Sequence, residues 1–213
     1  MERESVRIGE PGLPGELALP ARPLGVVVFA HGSGSSRLSP RNRFVADALH
    51  SHRLGTLLFD LLGEAEAADP RNVFDVALLG SRVRSALDWL DQRKLLAGLQ
   101  VGVFGASTGA AAALHAAAEH PRRIGAVVSR GGRPDLAGAR LGEVDAPTLL
   151  VVGSLDKEVL NLNRAALRSM HCCKRLEVVP GASHLFEEPG TLDAAAHLAG
   201  AWFETHLKQQ PAQ

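Results

Sequence analysis

Apolar residues in this chain come in short, dense runs separated by longer stretches of mixed character. Residues 25–30, 56–59, 100–104, 124–129 and 148–152 are almost wholly apolar and rich in Val, Leu and Ile. Runs this short, without alternation, are the signature of strands buried on both faces, as in a parallel sheet. A sixth run, 174–179, reads as a last strand. Between the runs the spacing changes to a helical one. Residues 42–52 follow it, and 73–95 place Val76, Leu79, Val83, Leu87 and Leu90 on one face. Residues 109–119 are mostly alanine, so that helix can lie close to the sheet. Residues 192–207 form a closing helix. Strand and helix in alternation predict an open, mostly parallel α/β sheet. Residues 6–8 and 16–19 flank a Pro/Gly-rich turn and predict an antiparallel hairpin at one edge. Polar residues from Lys208 onward predict a frayed end.

Composition narrows this picture. A chain of 213 residues with 46% apolar content supports one core, so a single domain over residues 1–213 is expected. The 23 basic and 23 acidic residues balance, which argues against a nucleic-acid partner or an anionic membrane surface. No apolar run approaches the roughly 20 residues that span a bilayer. Residues 1–10 are charged and lack an apolar signal core, so no secretion and a cytoplasmic location are expected. Cys172 and Cys173 are adjacent and read as two reduced thiols at a helix end. There is no tyrosine, which excludes oxidoreductases that use a tyrosine hydroxyl as their acid. No GK[ST] loop and no HExxH pair is present, so P-loop nucleotide hydrolysis and zinc proteolysis find no support. No cofactor and no metal is expected. Oligomeric state, a homodimer included, is left open.

The chemistry is carried by Gly105-Ala106-Ser107-Thr108-Gly109. This G-x-S-x-G stretch sits between a buried strand and the alanine-rich helix. A tight turn there lifts one serine above the sheet, and small residues two positions away on each side prevent a collision. A helix cap would also use a serine, but it would not need the two glycines. In such sheets the site forms beyond the C-terminal strand ends. That rim receives His31-Gly32-Ser33-Gly34, Asp60, Ser107, Arg130, Gly153-Ser154-Leu155-Asp156 and Gly181-Ala182-Ser183-His184. A serine hydroxyl needs a base and a group to orient that base. Of nine histidines, His50, His52, His115, His120, His171, His197 and His206 lie on helices or at helix ends, and His31 braces a glycine loop. His184 follows the last strand, returns to the rim of Ser107 and is the predicted base. Asp156, one turn after the fifth strand, is the predicted orienting acid, with a second reading as a helix cap. Asp135 and Asp145 are weaker candidates. The predicted oxyanion donors are the backbone N–H groups of Thr108 and Ser33, with Gly34 as the alternative to Ser33. Arg130 and Arg133 are candidates for an anionic group on a substrate, against a plain surface or ion-pair reading with Asp135; Arg37 is a weaker one. Gly32-Ser33-Gly34 with Asp60 imitates half of a dinucleotide fingerprint. Arg37 stands where that motif needs a small residue, and the reading leaves Ser107 and His184 unexplained.

Together these residues resemble the α/β-hydrolase superfamily over nearly the whole chain. Within it the sequence is most similar to the dienelactone hydrolase family. The stretches that carry the likeness are His31-Gly32-Ser33-Gly34-Ser35-Ser36-Arg37, Leu58-Phe59-Asp60-Leu61-Leu62 and His184-Leu185-Phe186-Glu187-Glu188-Pro189-Gly190. They resemble a branch whose members are sometimes found fused to phosphoribosyltransferase domains, and no such second domain is expected in these 213 residues. The resemblance implies an α/β-hydrolase fold: a mostly parallel central sheet, helices on both faces and a nucleophile–His–Asp triad at Ser107, His184 and Asp156. Dienelactone hydrolase uses cysteine at the nucleophile position, whereas this chain has Ser107. That difference favours ordinary carboxylic esters over dienelactone. The short 130–147 connection leaves no room for a lid domain there, so an open site for a small ester is expected. The sequence also admits a non-catalytic regulatory module, or the same triad acting on thioesters, peptides or acyl transfer.

Overall fold

The computed structural model describes residues 1–96 and 98–207; the frayed end expected from Lys208 onward lies outside them. Eight strands make one sheet: β1 (Glu2–Ile8), β2 (Leu13–Leu19), β3 (Gly25–Ala30), β4 (Leu54–Phe59), β5 (Gln100–Ala106), β6 (Ile124–Arg130), β7 (Thr148–Gly153) and β8 (Lys174–Val179). Their spatial order is β1-β2-β4-β3-β5-β6-β7-β8. The hairpin β1–β2 is antiparallel and joins β4 antiparallel; β4, β3 and β5 to β8 run parallel. β3, β4 and β7 are buried at every position, which is why their sequences read as unbroken apolar runs.

Helices cover both faces. Helix α1 (Pro40–Ser51) begins at Ser39, whose hydroxyl accepts the Asn42 N–H. Two single turns follow β4: α2 (Glu64–Ala67) and α3 (Pro70–Val73). The stretch expected as one helix over 73–95 is broken. Asp75 caps the Leu78 N–H and starts a separate helix, α4 (Val76–Asp91), and a short 3-10 turn, Lys94–Leu96, comes after it. Helices α5 (Thr108–Glu119), α6 (Lys157–Ser169) and α7 (Thr191–His206) complete the set. One core holds Leu79, Val83 and Leu87 of α4 with the alanines of α5; the other holds Val45 and Leu49 of α1 with Ala199 and Phe203 of α7. The 130–147 connection is more ordered than a loop. Pro134–Glu143 forms 3-10 turns broken at Gly138, and Ala137 and Leu141 are buried there.

The alanine run of α5 has a geometric purpose. Ala110–Ala113, Ala116 and Ala117 are fully buried. A Cβ added to Gly109 would stand 2.1 Å from the Ala30 carbonyl oxygen, and one on Gly105 would stand 2.4 Å from Ala110 Cα. The helix therefore touches the strand ends backbone to backbone, and only small residues allow it. Among the described residues, no helix is long and apolar enough to cross a membrane.

Candidate active site

Ser107 is the single residue between β5 and α5. It is held at φ 51°, ψ −123°, a conformation that an L-residue adopts only under constraint. Its own N–H bonds to the Arg130 carbonyl at 3.3 Å, and its carbonyl accepts the N–H groups of Ala110 and Arg133 at 3.1 and 3.0 Å. Those bonds hold the turn from both sides. The Ser107 side chain does not cap α5. Instead Oγ lies 3.4 Å from His184 Nε2, loose for a hydrogen bond but within the range of an unliganded nucleophile–base pair.

His184 Nδ1 lies 2.6 Å from Asp156 Oδ2. The carboxylate can only accept, so Nδ1 carries the proton and Nε2 presents its lone pair to Ser107. Asp156 stands at the N-terminus of α6 without capping it, and among the described residues its carboxylate bonds to the histidine. The two loops that deliver these side chains are tied together. Ser154 N–H donates to the Val179 carbonyl at 2.9 Å, Leu155 N–H to the Ala182 carbonyl at 3.0 Å, and Gly181 N–H to Ser154 Oγ at 2.8 Å. Beyond them, Ser183 N–H donates to Glu188 Oε2 at 2.9 Å, and that bond holds the Glu188 carboxyl below its ordinary range. Sequence reasoning missed Ser154 and Glu188 as braces. Their only signal was proximity to Asp156 and His184.

The other expected residues divide. His31 is a brace, as predicted: Leu61 N–H donates to its Nε2 at 3.0 Å, which leaves Nδ1–H for the Gly32 carbonyl at 3.0 Å. Burial keeps this imidazole neutral by lowering its pKa. Thr108 N–H, in the first turn of α5, has no intrahelical acceptor and remains a candidate oxyanion donor. Ser33 departs from expectation, because its N–H donates to Thr108 Oγ1 at 2.9 Å and so is not free. The two arginines also differ. Arg133 spends its fork on Asp135, with contacts of 2.9 and 2.8 Å, so it is an ion-pair residue. Arg130 is 7% exposed, and its Nε and Nη1 have no partner among the described residues. Arg37 is held by Asp60 through backbone and side chain, both at 2.7 Å, which commits both residues to each other.

A cleft of about 410 Å³ opens beside the elbow, reaching Ser33, Thr108 and Leu61. One wall comes from residues 60–73, including Glu64, Ala67 and Val73 of the connection after β4. Apart from Thr108, the residues that line the cleft precede Ser107 in the chain. Cys172 and Cys173 are free and lie at the opposite sheet edge, where the Cys173 carbonyl accepts the Thr148 N–H at 2.8 Å. Burial pushes the Cys172 thiol pKa up, away from nucleophile chemistry. No group of three or more His, Cys, Asp or Glu side chains among the described residues can hold a metal ion.

Comparison with known proteins agrees with this fold. Residues 25–138 match the model of the alpha/beta hydrolase fold family. A crystal structure of dienelactone hydrolase from Anabaena variabilis superposes with a TM-score of 0.92 at 53% identity, covering 97% of this chain and 98% of that one. The esterase domain of a Rhodothermus marinus protein gives 0.77 at 19% identity, covering 97% of this chain and all of that one, and shares the fold. A Mycobacterium tuberculosis protein provisionally named a phosphoribosyl transferase is 54% identical over 206 residues, or 97% of this chain. That match is 46% of the relative, so the chain spans about half the length of the curated relatives it matches. The nucleophile elbow, the sheet order and these likenesses place the chain in the α/β-hydrolase family, in its dienelactone hydrolase-like group.

Proposed function

We propose that this hydrolase cleaves a small carboxylic ester through an acyl-enzyme. The observation that carries the reading is the chain of contacts from Ser107 Oγ to His184 Nε2 and from His184 Nδ1 to Asp156. As Ser107 Oγ attacks the ester carbon, its proton passes to Nε2, and Asp156 stabilises the imidazolium. The tetrahedral intermediate collapses, the C–O bond to the alcohol breaks, and Nε2 gives its proton to the departing oxygen. Water, deprotonated by the same nitrogen, then attacks the acyl-Ser107 ester; the acyl C–O bond breaks, Nε2 returns the proton to Ser107 Oγ, and the acid leaves. Thr108 N–H at the N-terminus of α5 meets the negative charge on the carbonyl oxygen. Arg130 follows Ser129 at the end of β6 and pairs in register with Ala106, next to the nucleophile. Its two unpartnered guanidinium nitrogens support a role in recognising an anionic group on the substrate. Arg133, committed to Asp135, is given no such role.

The test is turnover of p-nitrophenyl acetate together with labelling by a fluorophosphonate. The expected result is a single labelled serine and steady hydrolysis, both lost in Ser107→Ala with the fold intact by circular dichroism. Undiminished turnover in that variant refutes the proposal. Labelling without ester turnover points to thioester, peptide or acyl-transfer chemistry at the same serine.

A further inference from the structure

The cleft side of the elbow carries a hydroxyl that the steps above leave idle. Thr108 is 6% exposed and lines the cleft with Ser33. Its Oγ1 accepts the Ser33 N–H at 2.9 Å, and among the described residues no protein group accepts the Thr108 hydroxyl proton. We propose that Thr108 supplies two oxyanion donors, its backbone N–H and its side-chain O–H. The Ser33 amide then acts through the hydroxyl and not directly on substrate. This rests on the acyl-enzyme reading of Ser107.

Three physical points support the assignment. A hydroxyl that accepts from an amide becomes a better donor, because each bond polarises the next. Thr108 is β-branched and helical, with few χ1 wells available, so its oxygen is already positioned before substrate arrives. Turning that oxygen away would break its 2.9 Å bond from the Ser33 N–H, the one contact that fixes the hydroxyl among the described residues. The direct alternative, in which Ser33 N–H itself meets the oxyanion, requires that turn; the relay does not.

The experiment compares wild type, Thr108→Val and Thr108→Ser on an activated ester and on its thionoester, in which sulfur replaces the carbonyl oxygen. Sulfur is a weak hydrogen-bond acceptor, so its tetrahedral intermediate gains little from an O–H donor. The expected result for Thr108→Val is a fall in kcat on the oxygen ester on the order of 100-fold. KM should barely change and the thionoester rate should fall far less. Thr108→Ser should stay within a few-fold of wild type on both. Turnover by Thr108→Val equal to or above wild type overturns the proposal, since the hydroxyl would then be a bystander or a plug. Equal losses on both esters overturn it too, because they indicate a structural brace only. Full activity in Ser107→Ala would remove the acyl-enzyme reading beneath it, a failure distinguishable from either of these.

Discussion

Arg130 offers the sharpest energetic test. Its guanidinium has one weak side-chain contact, Nη2 to Asn42 Oδ1 at 3.4 Å, and lies 5.7 Å from the Phe186 ring centre. Burial, with the like charge of Arg41 adding to it, pulls its pKa down to about 10. A drop of that size from the ordinary guanidinium value means that folding disfavours the charged form by about 3 kcal/mol. Arg130→Met keeps the apolar stem and removes the charge. Even buried charges that are paired can be replaced by well-packed apolar side chains of similar volume with an effect that is often neutral or stabilising by about 1–4 kcal/mol, and Arg130 has no acidic partner among the described residues to lose. The expected outcome at pH 7 is therefore a gain of about 1–3 kcal/mol, bounded by that burial cost. At about 2–4 °C per kcal/mol for a chain of this size, the melting temperature rises by several degrees. The sign with pH follows from proton linkage. The unfolded state binds this proton more tightly than the folded state does. The penalty is thus full well below pH 10 and fades as pH rises through that value, so the gap between wild type and Arg130→Met should narrow there. Urea unfolding of both proteins from pH 7 to 10.5 measures the gap directly. The variant should also lose any preference for acid-bearing over neutral esters. A variant less stable than wild type at pH 7, or a gap that widens as pH rises through 10, refutes the reasoning.

Two further outcomes are expected. Asp156→Asn preserves the shape at His184 Nδ1 but removes the acceptor that fixes the tautomer, so kcat on p-nitrophenyl acetate should fall by roughly 10⁴-fold; a fall of less than tenfold in stopped-flow assays would show that Asp156 does not orient the base. Gly109→Ala drives a Cβ to within 2.1 Å of the Ala30 carbonyl oxygen, a backbone atom that cannot yield. Overpacking of this kind costs about 1–3 kcal/mol or more, read as a lower denaturation midpoint in urea, and an unchanged midpoint would mean that α5 is not held against β3 as described.

The sequence by itself determined the layered α/β class and singled out Ser107, His184 and Asp156, the three side chains that the fold brings into contact. Both are written in local patterns: unbroken apolar runs for β3 and β7, and two glycines flanking Ser107 where a strand meets a helix. His184 and Asp156 were legible because strand order sends the residue after each strand to the same edge, whatever the side chains do afterwards. Other features were not legible, because they depend on partners distant in the chain. The helix expected over 73–95 was split by the Asp75 cap, a local signal masked by the apolar residues on either side. Ser33 sits where an oxyanion donor was expected, yet its amide meets Thr108, 75 residues away, a pairing set by how closely the β3–α1 loop rides over α5. The same holds for the arginines. Arg133 and Arg130 look alike in the sequence, but Asp135 lies within reach of one and, among the described residues, no acid pairs with the other. Spacing fixes the edge of the sheet at which a side chain emerges; only tertiary packing decides which polar atom it finds there, because a hydrogen bond is made or lost over less than 1 Å, a distance no sequence pattern resolves.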